Sequence, residues 1–189
     1  MSLDRRWGLL PLATFGWTAV AHVAAGTPHD ILWICNVSAL LLASAMLARW
    51  SLGLRVAGLW LWLGMPLWLA DAVHTGEFAG HSLATHFVLP MLAVLAWPVG
   101  QGRPKAWPWA LLLHLVVIVF CRFATPNWAN VNLVHGAWGG QRWVYPQALP
   151  LVSAYFAATA VALAAVEFGL GVLAGLVARR SQALRQPLA

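Results

Sequence analysis

Charge is the scarcest property of this chain. Five acidic and eleven basic residues among 189 leave 8% charged against 61% hydrophobic, and mean hydropathy is +0.75. Too few polar side chains remain to cover a soluble globule, so that class is excluded and an integral membrane protein is expected. Internal repeats and low-complexity linkers are also lacking, with Pro and Gly clustered only between apolar runs. No connection is long enough for a soluble domain. A single integral membrane domain over residues 1–189 is expected, with its function in or at the bilayer.

What is present is apolar sequence in helix-length pieces. Six runs of about 20 residues, each enough as a helix to cross about 30 Å of hydrocarbon, lie near 7–26, 30–50, 53–72, 80–100, 106–124 and 148–178. The first follows "MSLDRR" and exceeds the roughly 7–15 apolar residues of a signal peptide, so it is read as a retained helix. The net charge of +6 points to orientation rather than nucleic acid. Arg5, Arg6, Arg49, Arg55, Arg103, Lys105, Arg179, Arg180 and Arg185 all fall on one side of a six-span bundle. That is the positive-inside pattern, with both termini cytoplasmic. Trp50, Trp97, Trp107 and Trp109 near the inner interface, and Trp33, Trp128, Trp138 and Trp143 near the outer one, read as aromatic belts.

The loops assigned to the inner side contain no histidine. Polar residues collect at the other side: His22, His29, Asp30, Asp71, His74, Glu77, His81, His86, Asn127, Asn130, Asn132 and His135. Water-facing helix ends account for His74, Glu77 and His81 but not for Cys35 and His86, which lie in apolar context. At about 1.5 Å per residue, Cys35 sits roughly 7 Å below Asp30 and His86 a similar depth below His81. Cys121 and Arg122 reach the same level from helix five. Ionisable groups in a bilayer usually face a bundle interior or a wet cavity, so a polar cavity open to the outer face is expected. Only His114 and Glu167 fall near mid-membrane. Glu167 is expected to be protonated, paired or turned to the cavity, with Arg122 as one candidate partner.

The segment "HDILWIC" begins helix two with a histidine six residues before a cysteine. Together with "THFVLP", carrying His86, and "NVNLVHG", carrying Asn130, Asn132 and His135, it resembles the YwaF-like integral membrane family over about residues 29–136. The chain departs from that pattern where Asp30 and Ile31 replace a Leu-Pro pair, where Thr85 stands for the usual Ser, and in lacking an Asn-Tyr element. Relatives in that family include cysteine-dependent transmembrane acyltransferases acting on phospholipid. The resemblance implies a lipid acyltransferase or hydrolase working through a thioester, with membrane lipid as partner and no cofactor. Cys35 would be the nucleophile, His86 the general base and then acid, and Asn130 or Asn132 the oxyanion donors. His29, Asp30, His135 and Arg122 are expected around the substrate, Asp30 doubling as a cap on helix two. Topology puts this site at the extracytoplasmic side, in a bacterial inner (plasma) membrane.

Other readings stay open. The Asn-rich connection could hold turns as backbone surrogates, and Cys35 or His86 could be ordinary core residues. His29, His74, His81, His86, His135 and Glu77 could ligate a transition metal or haem. No His-x3-His or Cys-x2-Cys spacing occurs, however, and His81 and His86 diverge by about 140° around a helix. The chain could also be a non-catalytic subunit or a lipid or pigment binder, as a homo-oligomer or in a larger complex. The small residues of helix six would suit such packing. A Cys35–Cys121 disulfide, which an oxidising compartment permits, would remove the nucleophile.

Overall fold

The computed structural model describes residues 4–76, 78–97, 105–126, 128–129, 131–133 and 148–183. Among them the long elements are six helices and there is no strand. They are α1 (Leu9–Ala24), α2 (Ile34–Leu47), α3 (Ser51–Thr75), α4 (Gly80–Ala96), α5 (Trp107–Ala124) and α6 (Ala148–Ala183). Short 3-10 turns occur at Arg5–Gly8, Pro28–Leu32 and Val131–Leu133. By length and composition α3, α5 and Val152–Arg180 of α6 can cross a membrane, and α2 and α4 are shorter apolar helices.

The helix order follows the apolar runs, and the differences at their ends have local causes. Pro28 starts a 3-10 turn that carries His29 and Asp30, so the α-helix begins only at Ile34. α3 continues to Thr75, taking Asp71 and His74 with it, until Gly76 closes it at φ +75°. A residue without Cβ reaches that left-handed conformation at little cost. α4 stops at Ala96 because Trp97 precedes a proline, which drives it to an extended ψ of 123°.

Contacts between helix ends establish an up-and-down arrangement. At one end, here the histidine end, the His22 ring near the end of α1 meets His81 at the start of α4, with centroids 5.4 Å apart. Asn132, beyond α5, joins the start of α2 there. At the other, arginine end, Gly8 before α1 lies so close to Ala43, Met46 and Leu47 of α2 that a side chain would not fit. The Arg55 guanidinium, early in α3, stands 5.8 Å from the Trp97 ring beyond α4.

α3 is the middle of the bundle at the arginine end only. Residues 53–61 are buried on every side of the helix. Trp60 donates through Nε1 to Ala110 O of α5 (2.8 Å), and Trp62 to Pro90 O of α4 (2.9 Å), so two indoles fasten α3 to neighbours on both sides. From Pro66 to Thr75 only Ala72 is buried and Trp68 half-buried.

Glu167 is paired, one of the states expected of it, but with Arg55, not Arg122, and it lies at the arginine end rather than midway. Its carboxylate also accepts from the Ala106 and Trp107 amides at the start of α5 (2.9, 3.1 and 3.0 Å). α6 is long enough that its residue 167 reaches that level. A carboxylate at a helix N-terminus satisfies otherwise partnerless N–H groups and meets the positive end of the dipole. Arg122 is exposed on the last turn of α5.

Candidate active site

α2 begins without a cap from its own sequence. Trp33 turns the chain with an extended ψ of 138° and its side chain caps none of the first amides of the helix. The Ile34 N–H donates instead to Oδ1 of Asn132 (2.9 Å), 98 positions further on. Asn132 Nδ2 donates to Leu32 O (2.8 Å) and to Cys121 Sγ (3.5 Å). Asn132 is buried, 4% exposed, with φ +54°, a left-handed conformation that asparagine adopts more readily than most residues. It therefore holds a turn. Both hydrogens of its amide are committed, and neither is free for an oxyanion. The cap on α2 expected of Asp30 is Asn132; the Asp30 carboxylate accepts from Trp33 Nε1 (3.2 Å).

Cys35 is the second residue of α2 and is half-buried. Its sulfur rests on Gly64 of α3, where any Cβ would overlap it. It is a free thiol, as is Cys121, so no disulfide joins them. The first N–H groups of a helix have no carbonyl within it to meet. Ile34 gives its own to Asn132, while the Cys35 N–H meets no described backbone carbonyl.

His86 lies in a local widening of α4. Ala84–Val88 form a π turn in which the Leu89 N–H reaches back five residues to Ala84 O. Pro90 supplies a cause: it has no N–H for His86 O, and its ring crowds that carbonyl. Single π turns inside α-helices frequently accompany functional sites. The His86 ring stacks on Trp68 of α3, with centroids 4.9 Å apart and planes within 7°. Its Nδ1 lies 2.9 Å from Ser82 O. A carbonyl can only accept, so Nδ1 carries the hydrogen and Nε2 of the neutral ring holds the lone pair. Nε2 has no hydrogen-bond partner among the described residues.

Gly64 and Trp68 are four residues apart on one face of α3, about 6 Å along its axis. The thiol and the imidazole thus rest on the same face of one helix, a turn apart. No hydrogen bond joins them. Gly64, Trp68 and Ser82 were not singled out from the sequence; Gly64 and Trp68 matter as surfaces and Ser82 through its backbone, which residue type does not advertise.

A second polar group gathers at the histidine end. His22 Nδ1 is 3.2 Å from Thr27 Oγ1 and 3.8 Å from Asp30 Oδ2, and His29 Nε2 is 3.8 Å from Asp30 Oδ1. The His29 ring meets Trp128 edge-on at 4.7 Å. His81 packs edge-on to His22, while His74 is exposed at the end of α3. Glu77, Asn127, Asn130 and His135 lie outside the described residues. Among the described residues no three His, Cys, Asp or Glu side chains converge as metal ligands, so the proposed ligand set of His29, His74, His81 and His86 is not drawn together. An open apolar groove of about 640 Å³ runs along Leu115, Val116, Val119, Phe120, Phe123 and Ala124 of α5.

His114 belongs to neither group. It is buried between α5 and α6, with Nε2 2.8 Å from the Tyr155 hydroxyl and its ring 4.5 Å from Trp60. Its Nδ1 has no hydrogen-bond partner among the described residues. No family model, curated protein or solved structure matches this chain, and its chemistry rests on the residues themselves.

Proposed function

We propose that this protein is a membrane-embedded lipid acyltransferase or lipid hydrolase that uses Cys35 and His86. The observation that carries this reading is the tautomer and mounting of His86. Ser82 O fixes Nδ1–H, Trp68 holds the ring plane, and the ring and the thiol rest against α3 a turn apart. An oriented imidazole with an unengaged Nε2 is what a general base requires. Hydrogen bonds between catalytic groups are often made only with substrate bound, which accommodates the present separation.

In the proposed cycle a lipid ester enters between the two groups. His86 Nε2 takes the thiol proton as Cys35 Sγ adds to the ester carbonyl. The tetrahedral oxyanion is held by the Cys35 N–H at the positive end of α2, with Asn130 as the side-chain donor. Collapse expels the lipid alcohol, which receives the proton from His86, and leaves a Cys35 thioester. A second alcohol, or water, then gives its proton to His86 and attacks the thioester, restoring the thiol. The positive-inside distribution supports six spans, cytoplasmic termini and a site on the extracytoplasmic side of a bacterial inner membrane.

Reconstitution in phosphatidylcholine–phosphatidylethanolamine vesicles with a fluorescent-acyl phospholipid tests this. A hydroxylamine-sensitive acyl adduct on Cys35 is expected by intact mass, absent in Cys35→Ser and slowed in His86→Ala. Acyl transfer or release that continues in Cys35→Ser, or that is lost in Cys121→Ser alone, overturns the assignment.

A further inference from the structure

Asn132 stands between the two thiols of the molecule, touching one and capping the helix whose second residue carries the other. Its three hydrogen bonds span 98 residues to Ile34, 100 to Leu32 and 11 to Cys121. They converge on one buried amide whose backbone is left-handed. Ile34 immediately precedes Cys35, and the other α2 contact of this amide, Leu32 O, lies in the turn that leads into the helix. Without this amide the first turn of α2 has no side-chain cap, because Trp33 supplies none.

We infer that Asn132 is a positioning residue for the Cys35 thiol: from the connection between α5 and α6 it sets the first turn of α2 and so presses the sulfur onto Gly64. The inference rests on the Cys35–His86 reading. It adds that the connection after α5 controls the nucleophile through a hydrogen-bonded joint rather than by touching substrate. A shift of that connection moves the Ile34 amide, and Cys35 follows because it is the next residue. Cys121 marks the other side of the joint, so it is a fixed point on α5 rather than a second nucleophile. An asparagine suits the position because it alone offers an acceptor and two donors in one plane while tolerating positive φ.

The test is alkylation of full-length protein in phosphatidylcholine vesicles with iodoacetamide across a pH series, the two thiols resolved by mass spectrometry. Asn132→Gly keeps the backbone conformation and removes the amide, and Asn132→Ala removes both. Asn132→Asp keeps an acceptor for Ile34 N–H. Glu167→Gln loosens the far end of the bundle as a stability control. Misplacing a reacting group by about an ångström changes rates by orders of magnitude, so the Gly and Ala variants are expected to shift the Cys35 rate by roughly tenfold and reshape its pH profile. Asp is expected to restore part of it, and Glu167→Gln to leave the profile as it is. A Cys35 profile in the Gly variant within about twofold of wild type overturns the inference, as does an equal change in Glu167→Gln. Should the Gly and Ala variants not fold, Asn132→Asp decides on the same profile: one identical to wild type in both rate and shape overturns it. Alkylation needs no turnover, so loss of the acyltransfer reading through Cys35→Ser is a separate result.

Discussion

A methyl group on Gly64 would have to occupy the space of the Cys35 sulfur. Gly64→Ala therefore acts on the thiol directly. Overpacking of this kind costs about 1–3 kcal/mol, and the sulfur is the atom that has to give. The expected outcome is a lower thermal midpoint in detergent and a large change in Cys35 alkylation, with Cys121 labelling unchanged. Equal labelling of Cys35 in both proteins would mean that the contact is not made. Cys35 and His86 stood out in the sequence as candidates because a thiol and an imidazole are conspicuous in apolar surroundings. Gly64 and Trp68 were not, since nothing in their type marks them and their meaning comes from which neighbours α3 meets. Asn132 was expected as an oxyanion donor, with turn-holding as the alternative, and its partners 98 and 100 positions away were not legible.

At the scale of elements, the π turn in α4 and the clasp between α5 and α6 each make a prediction. Pro90→Ala returns an N–H that can meet His86 O, favouring a regular helix, and removal of the extra residue from a π turn rotates what precedes it by about 100°. His86 then leaves Trp68. Acyl transfer is expected to fall toward the His86→Ala level while the thermal midpoint holds or rises, and retention of wild-type turnover would count against the geometry. In the clasp, Tyr155→Phe leaves His114, 2% exposed, with no partner on either nitrogen among the described residues. Stranding a buried polar atom costs about 1–3 kcal/mol, whereas replacing both partners with apolar rings is nearly neutral. Unfolding of Tyr155→Phe and of the His114→Phe/Tyr155→Phe pair compares the two; a double variant no better than the single would refute the account. Hydrophobic run length disclosed the order of the six helices. It misjudged their ends, which Pro28, Gly76 and Pro98 decide locally.

Across the whole molecule, Arg55 and Glu167 join α3, α6 and the N-terminus of α5. Breaking a buried pair by deleting one member costs about 3–5 kcal/mol because the other charge loses its compensation. Glu167→Ala is expected to unfold far earlier than wild type in detergent, and Glu167→Gln, which can still accept from the α5 amides, to fall between them. A midpoint for Glu167→Ala equal to wild type would remove the pair from the account of stability. The sequence showed Glu167 as costly and in need of a partner, but 19 residues of helix from Ala148, about 28 Å at 1.5 Å per residue, carry it to the arginine end, and that decided which arginine it met. α3 itself is wrapped by neighbours from Gly53 to Leu61 and largely bare from Pro66 onward. On the proposed lipid chemistry, a molecule cinched at one rim and open at the other would admit a bulky two-tailed guest sideways from the surrounding leaflet rather than down from the water.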